Sequence, residues 1–273
     1  MVGRTIEYGE VDSTTLRIQL RIYGSAFDIA SDVPKTGRVL QLGDLFDSKE
    51  EDPARALLER HALDGLVAAG RAPTSGPGNR WRQGASRADV KLSVEGGAQL
   101  LEQLGDGWRD VDVVRLDQDL AGGCLLLRGL FAAGLKAGMV VSFVNSQFPP
   151  PLRFASLDYP ALPKALHGCS LSYLLDHLRP LGFHLVRLSG PYAAFVHATR
   201  LTPNIGPQDP DEMECYRGSR VWGFSPAPSI DLVREWFFDF TEIGSQEIWS
   251  RCWGNLTKAF WFPSSEPGFL LYL

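Results

Sequence analysis

Hydrophobic and polar positions change period several times along the chain. Residues 16–23, LRIQLRIY, alternate and predict a strand or an arm packed on one face. Residues 37–47, GRVLQLGDLFD, predict a short buried strand running into a glycine-containing turn. DPARALLERHALDG at 52–65 has helical spacing, with Asp52 as N-cap, Pro53 in the first helical position and Gly65 just past the end. Its apolar face is Ala56, Leu57 and Leu63. GLVAAG at 65–70 is a second buried strand, and the right-handed connection makes the two strands parallel.

The same alternation continues. DVKLSVE (89–95) is strand-like and GAQLLEQLG (97–105) helical. DVDVVRLD (110–117) is a buried strand, GGCLLLRGLFAAGLKAG (122–138) is mostly helical with Gly138 ending it, and MVVSFVN (139–145) is another strand. FPPPLRF then breaks regular structure. SLSYLLDHLRPLG (170–182) is a helix capped by Ser170 and stopped by Pro180–Gly182. FHLVRLSG (183–190) and YAAFVHA (192–198) are strands joined by a tight turn, an antiparallel pair at the end of the sheet. Strands alternating with helices predict an α/β fold: an open, mainly parallel sheet with helices on both faces and a C-terminal antiparallel hairpin.

Composition narrows the function classes. The 273-residue chain is 44% hydrophobic and 22% charged with a net charge of −5, ordinary for a globular protein and without the excess of cations that nucleic acid demands. The basic run 71–87, RAPTSGPGNRWRQGASR, reads as an exposed Gly/Pro/Ser-rich loop. No apolar run reaches the roughly 18 residues of a transmembrane helix. The N-terminus has the pattern of neither a signal nor a transit peptide, so the expectation is a soluble protein, cytoplasmic or organellar with any transit peptide already removed. Cys124, Cys169, Cys215 and Cys252 form no CxxC and read as reduced, partly buried thiols. His167 and Cys169 lack a second ligand cluster, so no metal site is expected. His177 and His184 read as packing or surface residues.

In an open parallel sheet, ligands sit beyond the carboxyl ends of the strands. Those ends are Gly43–Asp47, Gly70, Asp117–Asp119 and Asn145. The stretch VVRLDQDLAGG (113–123) sets two aspartates two apart at such an end. Asp117 and Asp119 therefore either retain a ligand role or cap the next helix and bond loop amides.

The order and spacing of six stretches over residues 38–200 resembles the FkbM-like methyltransferases, S-adenosylmethionine-dependent enzymes of the class I fold. The stretches are VLQLGDLFD, ALLERHALDGLVAAGRAP, VDVVRLDQDLAGG, MVVSFVNSQFPP, GCSLSYLLDHLRPLGFHLV and YAAFVHATRL. The resemblance implies a cofactor pocket formed by Gly43, Asp47, Asp117, Asp119 and Asn145. It also implies that the pocket is degenerate. The acid that holds the ribose hydroxyls is replaced by Ala69, a loop glycine is lost within DLFDS, the Gly-Asn-Asp continuation has become Leu120, Ala121 and Gly122, and an acid has become Phe143. Each lost carboxylate forfeits roughly 1.5–3 kcal/mol of charged hydrogen bonding. Two or three such losses weaken binding by roughly 10³ or more.

Beyond residue 200 the resemblance stops. LTPNIGPQDPDEMECYRGSR reads as a linker, and residues 216–273 hold 14 of the chain's 29 aromatic side chains. Two helices are predicted there, about 230–242 and 246–260. They carry apolar residues on more than one face, which suits either an added layer on the sheet or a docking surface built on Trp222, Trp236, Phe237, Trp249, Trp253 and Trp261. The domain plan is an N-terminal arm (1–30), a methyltransferase-like domain (31–200) and an aromatic-rich helical extension (201–273). The expected function is that of a methyltransferase-like pseudoenzyme with no catalytic residues and no cofactor, serving as an accessory subunit that meets other protein subunits through the extension. The alternative is an active S-adenosylmethionine-dependent O-methyltransferase acting on a small molecule.

Overall fold

The computed structural model describes residues 15–22, 25–34, 37–44, 64–71, 81–117, 120–146, 148, 150–159, 162, 164–189, 192–201, 212, 215–216 and 269–272. Strands β1 (Thr15–Ile22) and β2 (Ser25–Pro34) form an antiparallel hairpin. The alternating LRIQLRIY segment falls in the first of these strands.

The main sheet is built from β3 (Arg38–Leu42), β4 (Asp64–Ala68), β5 (Trp81–Gln83), β6 (Asp110–Leu116), β7 (Lys136–Phe143), β9 (Phe183–Ser189) and β10 (Tyr192–His197). Its order is β5-β4-β3-β6-β7-β10-β9. The four expected parallel neighbours pair as predicted: β3 with β4, β3 with β6 and β6 with β7. The last hairpin adds β10 antiparallel to β7, with β9 outside it. This is a Rossmann-like α/β sheet, open and mostly parallel. The predicted 52–65 helix lies outside the described residues.

Strand registry sorts the side chains onto two faces. Leu40, Leu42, Ala68, Val114, Leu116 and Val140 share one face and one core cluster with the three described α-helices. These are α1 (Val94–Leu104), α2 (Gly123–Ala132) and α3 (Leu171–Leu178). The other face presents Val39, Val67, Val113, Met139 and Val141, all at most 3% exposed. A parallel sheet buried on both faces produces the near-continuous apolar runs seen in the sequence. Helices α1 and α2 cross at Gly97 and Gly129, where a Cβ on either residue would strike the other helix's backbone. The two helices thus share the sheet face by close backbone contact.

Several expectations are corrected. The strand-like 89–95 stretch is a 3₁₀ turn followed by the start of α1, because Ser93 caps that helix by accepting from the Gly96 amide at 3.2 Å. The 122–138 helix stops at Ala132, since Gly134 turns the chain at φ +98 and Lys136 already pairs with Asp110. The 71–87 segment is not all loop: β5 extends the sheet, and Trp81 lies flat on Gly65, whose lack of a Cβ makes room for the ring.

The FPPPLRF stretch does not end regular structure either. Its last residues begin β8 (Arg153–Ser156), which pairs antiparallel with β11 (Phe269–Tyr272). Phe269 packs on Phe154, and Phe154 stacks on Phe148. The C-terminal extension therefore includes a strand docked on the sheet domain, so it is not wholly helical. The linker reading fails at its far end. Tyr216 is fully buried, its hydroxyl donates to the Ser146 carbonyl, and desolvation pushes its phenol well above the usual range. Burial pushes the Glu212 carboxyl up, opposed by the nearby Ser172, Arg179 and Arg153.

Two of the cysteines expected to be reduced are joined. Cys124, in the first turn of α2, and Cys169, bridged to Ala155, form a disulfide between Cα atoms 6.4 Å apart. Spacing could not reveal it, because the partners lie 45 residues apart and meet only when the chain after β7 folds back over α2. Closing a loop of that length removes about 4 kcal/mol of unfolded-state freedom by the chain-entropy relation. Reduction, or the paired change Cys124→Ala and Cys169→Ala, should lower unfolding free energy by about 2–4 kcal/mol in urea titrations.

Candidate functional site

The strand order reverses direction between β3 and β6, which makes their carboxyl ends the switch point where an open α/β sheet offers a crevice. Gly43 follows β3 there and Asp117 follows β6. The structure brings these two predicted site residues together: the Asp117 amide donates to the Leu42 carbonyl at 3.0 Å, and Gly43 sits against the Asp117 side chain. A Cβ built at Gly43 would lie 2.8 Å from Asp117 Cβ and 3.5 Å from Leu120 Cβ. Gly43 holds φ +96, which a residue with a side chain adopts only at a cost. Asp117 is 1% exposed and Leu120 2%. Between these two strand ends, Asp117 and Leu120 therefore stand close to Gly43 and are both buried.

The next strand end is closed too. Gly70, after β4, presses so tightly on the Gly43–Asp44 peptide that it has no room for a Cβ. The Gly43 amide donates to the Ala68 carbonyl at 3.0 Å, and the Asp44 carboxylate accepts from the Arg71 amide at 2.8 Å. Ala69, where the resemblance implies a ribose-binding acid, is buried at φ 56, a left-handed conformation that few residues other than glycine adopt. Its amide donates to the Ala85 carbonyl.

Asn145 lies at the end of β7, buried, but its side chain serves the neighbouring loop. Its Nδ2 donates to the His167 carbonyl at 2.9 Å, and its amide donates to the Cys169 carbonyl at 2.7 Å. Phe143, where the resemblance implies an acid, packs edge-on against Tyr192 and covers Gly168. Asp117 does not cap α2. The N-cap of that helix is Gly122, which has no side-chain cap, and its amide donates to Ser156 Oγ. Asp47 and Asp119 lie outside the described residues, as do Trp222, Trp236, Phe237, Trp249, Trp253 and Trp261.

Two buried polar residues beneath this edge escaped the sequence reading. Arg115, 2% exposed, donates from Nη1 to Gln41 Oε1 at 3.0 Å. Gln41 Nε2 in turn donates toward the carbonyls of Leu42, Gly43 and Asp44 at 3.3–3.5 Å. This relay fixes the β3 loop from below. Its signal was an arginine inside an otherwise apolar strand, VVRLD, since a charge in a doubly covered strand needs a partner. Ser156 is a third such residue. Its Oγ accepts from the Gly122 and Gly168 amides at 3.3 and 3.0 Å and so joins the two segments that the disulfide also links.

Among the described residues, then, the edge offers no carboxylate at the end of β4, no open approach at Gly43 and no uncommitted amide on Asn145. These residues do not fit S-adenosylmethionine in the manner the resemblance implies. Also among the described residues, no cluster of His, Cys, Asp and Glu could hold a metal, and no helix is long and apolar enough to cross a membrane. No protein-family model matches the chain, and no curated protein matches it. The fold defines an α/β protein with a Rossmann-like sheet whose described strand ends at the switch point lie in close contact.

That packing is testable. Gly43→Ala forces a side chain into a positive-φ position and against Asp117. It should lower unfolding free energy by about 2–4 kcal/mol, read as a fall in the urea midpoint with an unchanged m-value.

Proposed function

We propose that this chain is a methyltransferase-like pseudoenzyme that serves as a structural or accessory subunit of a larger protein assembly. One observation carries the reading. At the switch point, Gly43, Asp117 and Leu120 pack against one another where a cofactor-binding sheet keeps a crevice. The arrangement of five parallel strands followed by an antiparallel hairpin is what the class I methyltransferase resemblance implies, and it supports descent from that fold. Fold alone assigns no chemistry, so the argument rests on the edge. Ala69, Leu120 and Phe143 take apolar places where the resemblance implies acids or an open loop, and Asn145 is spent on the 167–169 loop.

Calorimetric titration of the full chain with S-adenosylmethionine and with its demethylated product should give no binding tighter than about millimolar, from a loss of roughly 10³ or more. A low-micromolar dissociation constant for either would overturn the reading. It would favour instead an active O-methyltransferase, for which the acid at the end of β6, Asp117, is the feature in favour.

The accessory role has its own measurement. The aromatic extension is the proposed contact, through Trp222, Trp236, Phe237, Trp249, Trp253 and Trp261. Burying one Trp or Phe at an interface contributes roughly 2–3 kcal/mol. In extract of its own cells the native protein should therefore migrate in gel filtration well above its 30.1 kDa, and the pair Trp236→Ala and Trp249→Ala should return it to that mass. A native protein that runs as a monomer would count against the assembly.

A further inference from the structure

A cavity of about 350 Å³ opens at the opposite edge of the sheet, at the amino ends of β6 and β7. Its walls include Phe131 of α2, Phe183 of β9 and Leu181, with the two phenyl rings edge to face at 5.3 Å. Among the described residues its lining also includes Lys136, Arg200 and His197, with Asp110 as the one carboxylate. The His197 ring is held in place: it stands edge-on to Phe183, its Nδ1 lies 2.8 Å from the Thr199 hydroxyl, and its Nε2 faces Gly182, whose lack of a Cβ leaves room for it.

A second cavity of about 220 Å³ lies between α2 and α3 and shares Phe131 and Leu181 with the first. Its inner walls are Leu127, Leu174 and Leu178, and Arg128, Asp176 and His177 also line it. His177 stands edge-on to Tyr173, and burial together with Arg128 keeps its pKa below the ordinary value despite Asp176. Leu181, where the cavities meet, is 42% exposed, unusual for a large apolar side chain in this fold. A cationic mouth beside an apolar cleft, with an exposed leucine between them, is complementary to a molecule with an anionic head and an apolar chain.

We propose that these adjoining cavities bind one small anionic amphiphile, an alkyl carboxylate, with its head at Lys136 and Arg200 and its chain laid over Phe131 and Leu181 toward the space between α2 and α3. The site is independent of the switch point, so its fate does not bear on the pseudoenzyme reading.

The experiment is calorimetric titration of the full chain with sodium hexanoate, octanoate and decanoate below their micelle-forming concentrations, with 1-octanol as the uncharged control. Octanoate should bind saturably at one site, with affinity rising about fourfold per added methylene along the series. It should bind at least tenfold tighter than 1-octanol. The double variant Lys136→Glu, Arg200→Glu should lose at least tenfold for octanoate and nothing for 1-octanol. Leu181→Asp, at an exposed position, should abolish the chain-length dependence; circular dichroism checks that both variants remain folded. The absence of saturable octanoate binding, equal affinity for octanoate and 1-octanol, or an unchanged affinity in the double variant would each overturn the proposal.

Discussion

A parallel sheet cannot leave either face in water, and the rest of this structure follows from that constraint. Strands β3, β4, β6 and β7 present leucines and valines on both sides, and every one of the interior positions is covered. Covering one face brings α1 and α2 so close that glycines at 97 and 129 form their contact. Holding the third helix on the same layer depends on the chain between β7 and α3, which Ser156 and the Cys124–Cys169 bridge tie to the start of α2. The polar groups that enter this interior do so as partners, Arg115 with Gln41 being the clearest pair.

The same demand for packing explains the carboxyl edge. A ligand site requires that some strand-end surface stay uncovered and that polar groups there remain available. In this chain the loops after β3 and β4 lie against each other through Gly43, Asp44 and Gly70, and Leu120 stands beside Gly43. Asn145 and Ser156, polar residues suited to hold a ligand, instead bond backbone groups of residues 122 and 167–168. The amino edge differs, with an open cavity, two aromatic walls and a cationic rim.

The C-terminal segment shows how a region without family resemblance is integrated. Tyr216 and Phe269 are both buried. One reaches the Ser146 carbonyl after β7, and the other belongs to a strand that completes β8. The aromatic stack Phe148–Phe154–Phe269 then joins the loop after β7, strand β8 and the final strand. A segment anchored at both points is part of the domain's structure there, whatever the intervening residues contact.

The sequence by itself determined the α/β class, the parallel pairing of four strands, the final hairpin and the cap of α3 at Ser170. These rest on local signals: unbroken apolar runs, short turns, and a serine whose side chain accepts from the Tyr173 amide three residues on. It also placed Gly43 and Asp117 at carboxyl strand ends of one parallel sheet. Only the tertiary structure decided that Leu120 comes to stand beside Gly43, that Asn145 turns to the His167 carbonyl, that Cys124 meets Cys169, and that Phe269 returns to β8. Each of these joins residues far apart in the chain or depends on the direction a side chain takes, and periodicity carries no information about either. Local patterns encode which segments must be buried; which surfaces meet once they are buried is set by the packing of the whole domain.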